Sequence, residues 1–278
     1  MAIEVFNRYE HKYMLDKQVY ESVINVLQKH MELDFYNENC TPYTIANIYF
    51  DTDGDYLIRT SLSDPKYKEK LRLRAYGVPS ENSKVYLEIK KKFNGIVNKR
   101  RTTLTLSEAY DFAKSGKAPE KKEYMNGQVL REIEYFLKIY DLKPKLYLAY
   151  DRIAFFEKDN PDLRISFDTN IRSRRYDLRL ENGDYGENLL DDGVYLMEIK
   201  TSLAKPLWLT AVLSSLDIKR KSFSKYGTEF KNYIRSDKNG QFVQQYSDKC
   251  FVGDNGGVGG YNDAYGGDFG RGDSVYLF

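Results

Sequence analysis

Hydrophobic and charged residues alternate with a period of two along several stretches of this chain, and in three of them the charged positions repeat a pattern. Lys70-Leu71-Arg72-Leu73-Arg74 sets three cations against two leucines, while Val85-Tyr86-Leu87-Glu88-Ile89-Lys90 and Val194-Tyr195-Leu196-Met197-Glu198-Ile199-Lys200 both end in Glu-Ile-Lys. Residues two apart in an extended strand share a face. Each Glu-Ile-Lys therefore presents an acid and a base opposite its isoleucine. The three neighbouring cations repel unless an anion lies between them. One such segment alone reads as a half-exposed antiparallel strand with its charges in water. Three of them, with apolar alternates that need burial, predict an α+β fold built on an antiparallel β-barrel turned inside out. Leucines and isoleucines then face outward under flanking helices, and the charges surround a wet lumen, since a buried cation without a partner costs several kcal/mol.

The remaining pattern fills in this picture. Residues 3 to 14 read as a strand with Arg8, Glu10 and Lys12 on one face, and Asp16 caps a helix carrying Val19, Val23, Leu27 and Met31. Strands follow at 43 to 50, 66 to 76, 84 to 93 and 96 to 105. Ser107 opens a helix that ends at Gly116, and residues 127 to 140 form another, with Val129, Ile133, Phe136, Leu137 and Tyr140 as its apolar stripe. The second half continues with strands at 146 to 152, 163 to 168, 172 to 180 and 194 to 200, then a helix from Pro206 through Leu216. From about residue 237 Gly, Asp, Asn and Tyr dominate and no apolar period remains, so residues 1 to 236 are expected to form one domain and residues 237 to 278 a mobile or loosely docked tail.

Composition narrows the chemistry. Across 278 residues, 43 Lys and Arg against 41 Asp and Glu leave a net charge of +2, which argues against a general nucleic-acid coat and for a local anion site. No sequence-specific nucleic-acid partner is expected. Cys40 and Cys250 have no metal or redox spacing, two histidines are too few for a multi-histidine zinc site, and neither a Walker loop nor a dinucleotide glycine fingerprint occurs. The absence of a secretory hydrophobic segment or a membrane-spanning run predicts a cytoplasmic location. If phosphate is bound, side chains hold it.

Residues 8 to 12, Tyr49-Phe50-Asp51-Thr52, Lys70 to Arg74, Glu88-Ile89-Lys90, Tyr150-Asp151-Arg152, Leu163-Arg164-Ile165, Glu198-Ile199-Lys200 and Ser222-Phe223-Ser224-Lys225-Tyr226 together resemble the VTC domain. This is the polyphosphate polymerase domain of the vacuolar transporter chaperone type, in the triphosphate tunnel metalloenzyme superfamily. The resemblance covers residues 3 to 235. It implies a tunnel that binds ATP and inorganic polyphosphate, moves the γ-phosphoryl of ATP onto the chain and uses Mn²⁺ or Mg²⁺. The implied phosphate ligands are Arg8, Lys12, Lys70, Arg72, Arg74, Lys90, Arg152, Arg164, Lys200 and Lys225, with Arg72, Arg74, Lys200 and Lys225 nearest the chemistry. Glu198, Glu88 and Glu10 are the implied metal ligands. The wider superfamily often opens with Glu-x-Glu-x-Lys, whereas Arg8 replaces the first acid here, which favours phosphate grip over a second metal.

Phosphoryl transfer asks mainly for positioning and charge stabilisation, so the lack of a catalytic His or Cys is no objection. The competing readings are a triphosphate hydrolase of the same superfamily and a non-catalytic polyphosphate or nucleotide binder. Acids beside the cations favour metal-assisted chemistry over passive binding. Nothing in the sequence resembles an SPX domain or membrane helices, so export of product falls to a membrane partner.

Overall fold

The computed structural model describes residues 9–236, with residues 95, 159, 161 and 203 excepted. Arg8 and the segment from 237 to 278 lie outside the described residues. The elements run β1 (Tyr9–Leu15), α1 (Lys17–His30), β2 (Met31–Leu33), β3 (Tyr43–Asp51), α2 (Tyr56–Leu62), β4 (Tyr67–Tyr76), β5 (Lys84–Phe93) and β6 (Ile96–Thr105). They continue with α3 (Leu106–Ser115), α4 (Gly127–Ile139), β7 (Lys143–Glu157), β8 (Arg164–Arg174), β9 (Glu187–Asn188), β10 (Tyr195–Thr201), α5 (Leu207–Ser215) and α6 (Lys225–Ser236). The strands make one antiparallel sheet in the order β1-β10-β8-β7-β3-β4-β5-β6, with β2 added to β7 and β9 to β8.

Local chemistry sets several boundaries. The Val19 amide donates to the Asp16 carboxylate at 2.8 Å to start α1, and Thr105 and Glu108 form a reciprocal capping box at α3. Gly116 closes α3 in the left-handed region at φ 67°. The strand expected over 172 to 180 is not separate: β8 runs on through Arg174, past a register shift opposite Ala149 and Asp151. Asn170 sits there at φ 48° and donates to the Asp151 carboxylate at 2.8 Å, which holds the irregularity in place.

The apolar faces are turned outward as expected. Leu71, Leu73, Leu87 and Ile89 are buried against Phe112 of α3 and Ile133 and Phe136 of α4, while Met197, Ile199, Ile165 and Phe167 pack with Val23 and Leu27 of α1 and Leu209 of α5. Each such side chain contributes about 1.5 to 3 kcal/mol on burial. The hydrophobic core therefore lies in two layers outside the sheet. A third cluster departs from the wholly wet lumen: Ile45, Leu148, Tyr150 and Leu196 join Tyr226 and Phe230 of α6, so apolar side chains fill part of the space beneath that helix.

The sheet is not closed. Among the described residues β1 and β6 pair with no common strand and form no ladder with each other. The walls meet through charge instead, because Glu10 of β1 feels Lys90 of β5 as well as Lys200 of β10. A tunnel lining formed from two walls thus replaces the hydrogen-bonded barrel.

Candidate anion tunnel

Period two places the functional side chains. On β4, Lys70, Arg72 and Arg74 share a face, and register aligns them with Lys90, Glu88 and Tyr86 of β5, then Lys99, Arg101 and Thr103 of β6. On the other wall Lys12 pairs with Glu198 and Glu10 with Lys200, followed by Ser166 and Arg164 of β8. Arg152 of β7 lies opposite Asp168 of β8.

Two charge clusters result. In the first, Arg152 grips Asp168 with both arms, Nε to Oδ1 at 2.6 Å and Nη2 to Oδ2 at 2.8 Å, and Nη2 also reaches Glu198 at 3.4 Å. Lys225, the first residue of α6, places Nζ 2.5 Å from Asp168 Oδ2 and 3.3 Å from Glu198 Oε1. Lys200 and Lys12 reach the same glutamate at 3.1 and 3.6 Å, and Lys12 reaches Glu10 at 3.2 Å. Burial pushes these carboxyl groups up, yet the cations win and hold them down: Lys225 and Lys200 act first on Glu198, Arg152 on Asp168, and Lys200 on Glu10, which falls to about 2. Lys225 is held above the ordinary lysine range, burial being outweighed by Asp168 and Glu198.

The second cluster centres on Glu88, whose side chain is 1% exposed. Arg72 Nε and Lys99 Nζ both lie 2.7 Å from it, with Arg74 Nε at 3.9 Å. Arg72 also donates to the Tyr49 hydroxyl at 3.2 Å, and Arg74 donates to Asn47 at 2.9 Å and the Tyr150 hydroxyl at 3.2 Å. Burial depresses Lys99 to about 7 despite Glu88, and Arg72 and Arg74 add to that depression. Lys70 and Lys90 face the same space with no ion pair within 4 Å among the described residues; burial lowers both, Lys70 to about 8 with Lys90, Lys68 and Lys12 adding to it, and Lys90 against the opposing charge of Glu10, with Arg72, Lys12 and Lys200 adding to it.

The structure thus brings Lys12, Lys200, Lys225, Arg152, Glu10 and Glu198 together, and places Lys70, Arg72, Arg74 and Lys90 on the facing wall. Arg164 stands at one end, 3.2 Å from Asp34 and stacked 4.7 Å from the Phe156 ring centroid. Glu88 does not join the other two glutamates: its cation partners are Arg72, Arg74 and Lys99, none of which touches Glu10 or Glu198. No group of three or more His, Cys, Asp or Glu side chains suited to a metal occurs among the described residues. The pair Glu10 and Glu198 still fits a hard divalent ion, because Glu198 raises the electrostatic cost of ionising Glu10 and such ions complete their shells with phosphate oxygens and water.

Two residues escaped sequence reasoning. Asp168 is fully buried and anchors both Arg152 and Lys225; its signal was an acid sharing a face with Arg164, two strand steps away. Lys99 lies within Asn98-Lys99-Arg100-Arg101, an unbroken polar run with no alternation to reveal its face.

The VTC domain family model matches residues 7–233. A curated relative, the vacuolar transporter chaperone complex subunit 4 of Trypanosoma brucei brucei, is 27% identical over 205 residues, covering 61% of this chain; the chain spans only 26% of that relative. Solved structures with a similar backbone include a putative adenylate cyclase from Bacillus halodurans, at 16% identity, TM-score 0.47, 79% of this chain and 96% of that one. Another is a putative adenylyl cyclase from Hippeastrum described as having a dominant triphosphatase activity, at 16% identity, TM-score 0.48, 80% of this chain and 95% of that one. Among the described residues no helix is long and apolar enough to cross a membrane.

Proposed function

Because the chain belongs to the VTC domain family, we propose that it is an ATP-dependent polyphosphate polymerase, transferring the γ-phosphoryl of ATP to a growing phosphate chain and releasing ADP. The observation that carries this reading is the excess of cations facing one another across the two walls, with Lys70 in no ion pair among the described residues and Lys90 facing Glu10 across the seam, beside paired acids at Glu10 and Glu198. In the transfer, the bond between the γ-phosphorus and its bridging oxygen breaks while a terminal oxyanion of the acceptor chain forms the new bond. An ionised phosphate oxygen is already a nucleophile, so no protein base is required.

The residues divide the work by geometry. Arg72, Arg74, Lys70 and Lys90 are disposed to grip successive phosphates from one wall, and Lys12, Lys200, Arg152 and Arg164 from the other. Lys225, at the start of α6 with its ammonium oriented by Asp168, is the cation suited to stabilising charge on the transferring group. Mn²⁺ or Mg²⁺, held by Glu198 and Glu10, would supply charge neutralisation between the β- and γ-phosphates. Asp168 is the positioning residue behind Arg152 and Lys225. The decisive experiment is incubation with ATP and Mn²⁺ followed by gel analysis of the products. Long phosphate chains support the proposal, free phosphate alone would identify a hydrolase, and unchanged ATP would leave only a binding module. Since the relative is a complex subunit, we also propose that partner chains, including a membrane component, receive the product.

A further inference from the structure

One mouth of the tunnel carries aromatic side chains for which phosphate binding has no use. Phe35, Tyr36, Tyr43, Tyr76 and Tyr86 form a continuous run, with successive ring centroids 5.8, 6.3, 6.0 and 5.8 Å apart. The rings meet edge-on or tilted, at interplanar angles of 80°, 68°, 51° and 84°, so no two of them are stacked face to face. Phe35, Tyr36 and Tyr76 are 80%, 74% and 49% exposed. Packing alone does not explain three exposed rings in one line.

The run is continuous with the phosphate-facing walls. Tyr43 stands opposite Arg152 in register, and Arg164 Nη2 approaches its hydroxyl at 3.5 Å. Tyr76 follows Arg74 by two residues on β4 and Tyr86 precedes Glu88 by two on β5, a single same-face step of roughly 6.8 Å. At the far end the Arg101 guanidinium lies 4.8 Å from the Tyr86 ring centroid. The whole surface suits a ligand that is flat and aromatic at one end and polyanionic at the other. A bare phosphate chain lacks the first feature and an apolar peptide lacks the second.

We propose that this aromatic run is a nucleobase subsite, which holds the base of the nucleotide while its triphosphate lies in the cationic tunnel. The inference rests on the reading of the tunnel as a nucleoside triphosphate site and adds its base-binding half. Base stacking on such rings tolerates different bases, because every base offers a π-face.

The test uses the full chain and calorimetric titration with two probes, the non-hydrolysable adenosine β,γ-imidotriphosphate and inorganic tripolyphosphate. Tyr76→Ala and Tyr36→Ala should each weaken the nucleotide roughly tenfold, while tripolyphosphate affinity stays at the wild-type value. Tyr76→Phe, which keeps the ring, should restore nucleotide binding. If both ligands weaken equally, or the nucleotide is unaffected in every variant while tripolyphosphate still binds wild type, the base subsite is overturned and the tunnel reading stands. If wild type binds neither probe, the tunnel reading fails and takes this inference with it.

Discussion

Lys225 Nζ sits 2.5 Å from Asp168 Oδ2, joining the start of the last described helix to a β8 carboxylate that also receives both arms of Arg152. One fully buried acid therefore fixes two cations from two different elements. The pairing converts a loose lysine on a helix end into an oriented charge over the tunnel.

Asp168→Asn should lower stability by about 3 kcal/mol, because it leaves Arg152 and Lys225 buried with only Glu198, at 3.4 and 3.3 Å, as a shared counter-charge. Urea denaturation monitored by circular dichroism measures this directly. A variant as stable as wild type would mean that the pair contributes no net stability and that Asp168 serves orientation alone.

Glu198→Gln separates chemistry from grip. Turnover of ATP should nearly cease, while tripolyphosphate without metal binds as tightly as in wild type or more so, since a carboxylate facing the polyanion is gone. Wild-type rates of ATP consumption in this variant would remove Glu198 from the mechanism.

Arg72→Ala should weaken tripolyphosphate by roughly tenfold or more, the loss of a charge-assisted contact costing about 1.5 to 3 kcal/mol. Wild-type affinity should also fall with added salt. Arg74→Ala should do the same and in addition loosen Asn47 and Tyr150, which it holds at 2.9 and 3.2 Å. Titrations showing unchanged affinity in both variants would exclude them as ligands.

Burial holds Lys70 down to about 8 against the pull of Tyr49, with Lys90, Lys68 and Lys12 helping. Below that pH it is a cation facing the anion. Tripolyphosphate affinity should therefore fall as pH rises through about 8, and Lys70→Arg should flatten most of the profile. Tyr49, itself lowered to about 8 because Arg72 outweighs its burial, loses a proton in the same window, so Tyr49→Phe should remove part of the remainder and leave the share of Lys99, which titrates at about 7. Folding responds with the opposite sign. The folded pKa of Lys70 lies below the value of 10.5 for the free side chain, so the unfolded chain holds more protons between those limits and this lysine adds stability as pH rises through them. A flat binding profile across that range would show that Lys70 does not meet the ligand.

What the sequence disclosed depended on period. Lys70, Arg72, Arg74, Glu88, Lys90, Glu198 and Lys200 alternate with leucine or isoleucine, so their common face could be read, and the outward burial of Leu71, Leu73, Ile89 and Ile199 follows from the same alternation. Curvature is not encoded in that period, so the open seam between β1 and β6 could not be read. Helix α2 was missed because its cap is remote: the Asp51 carboxylate, at the end of β3, accepts the Leu57 and Ile58 amides at 2.8 and 2.9 Å. Helix α6 had a readable start, with the Ser224 hydroxyl accepting from Gly227 and Tyr226, Phe230 and Ile234 spaced by four. Gly227 and Thr228, weak helix formers in its first turn, concealed it.

The missing ladder between β1 and β6 gives the substrate a mechanical part. One wall is clamped to α3 and α4 and the other to α1 and α5, while among the described residues the edge strands share no ladder. On the proposed function, a phosphate chain gripped at once by Arg72 and Lys90 from one side and Lys12 and Lys200 from the other would be the strut that spans the gap. The polymer would then brace the container that holds it, and each occupied length of chain would make the folded protein harder to open.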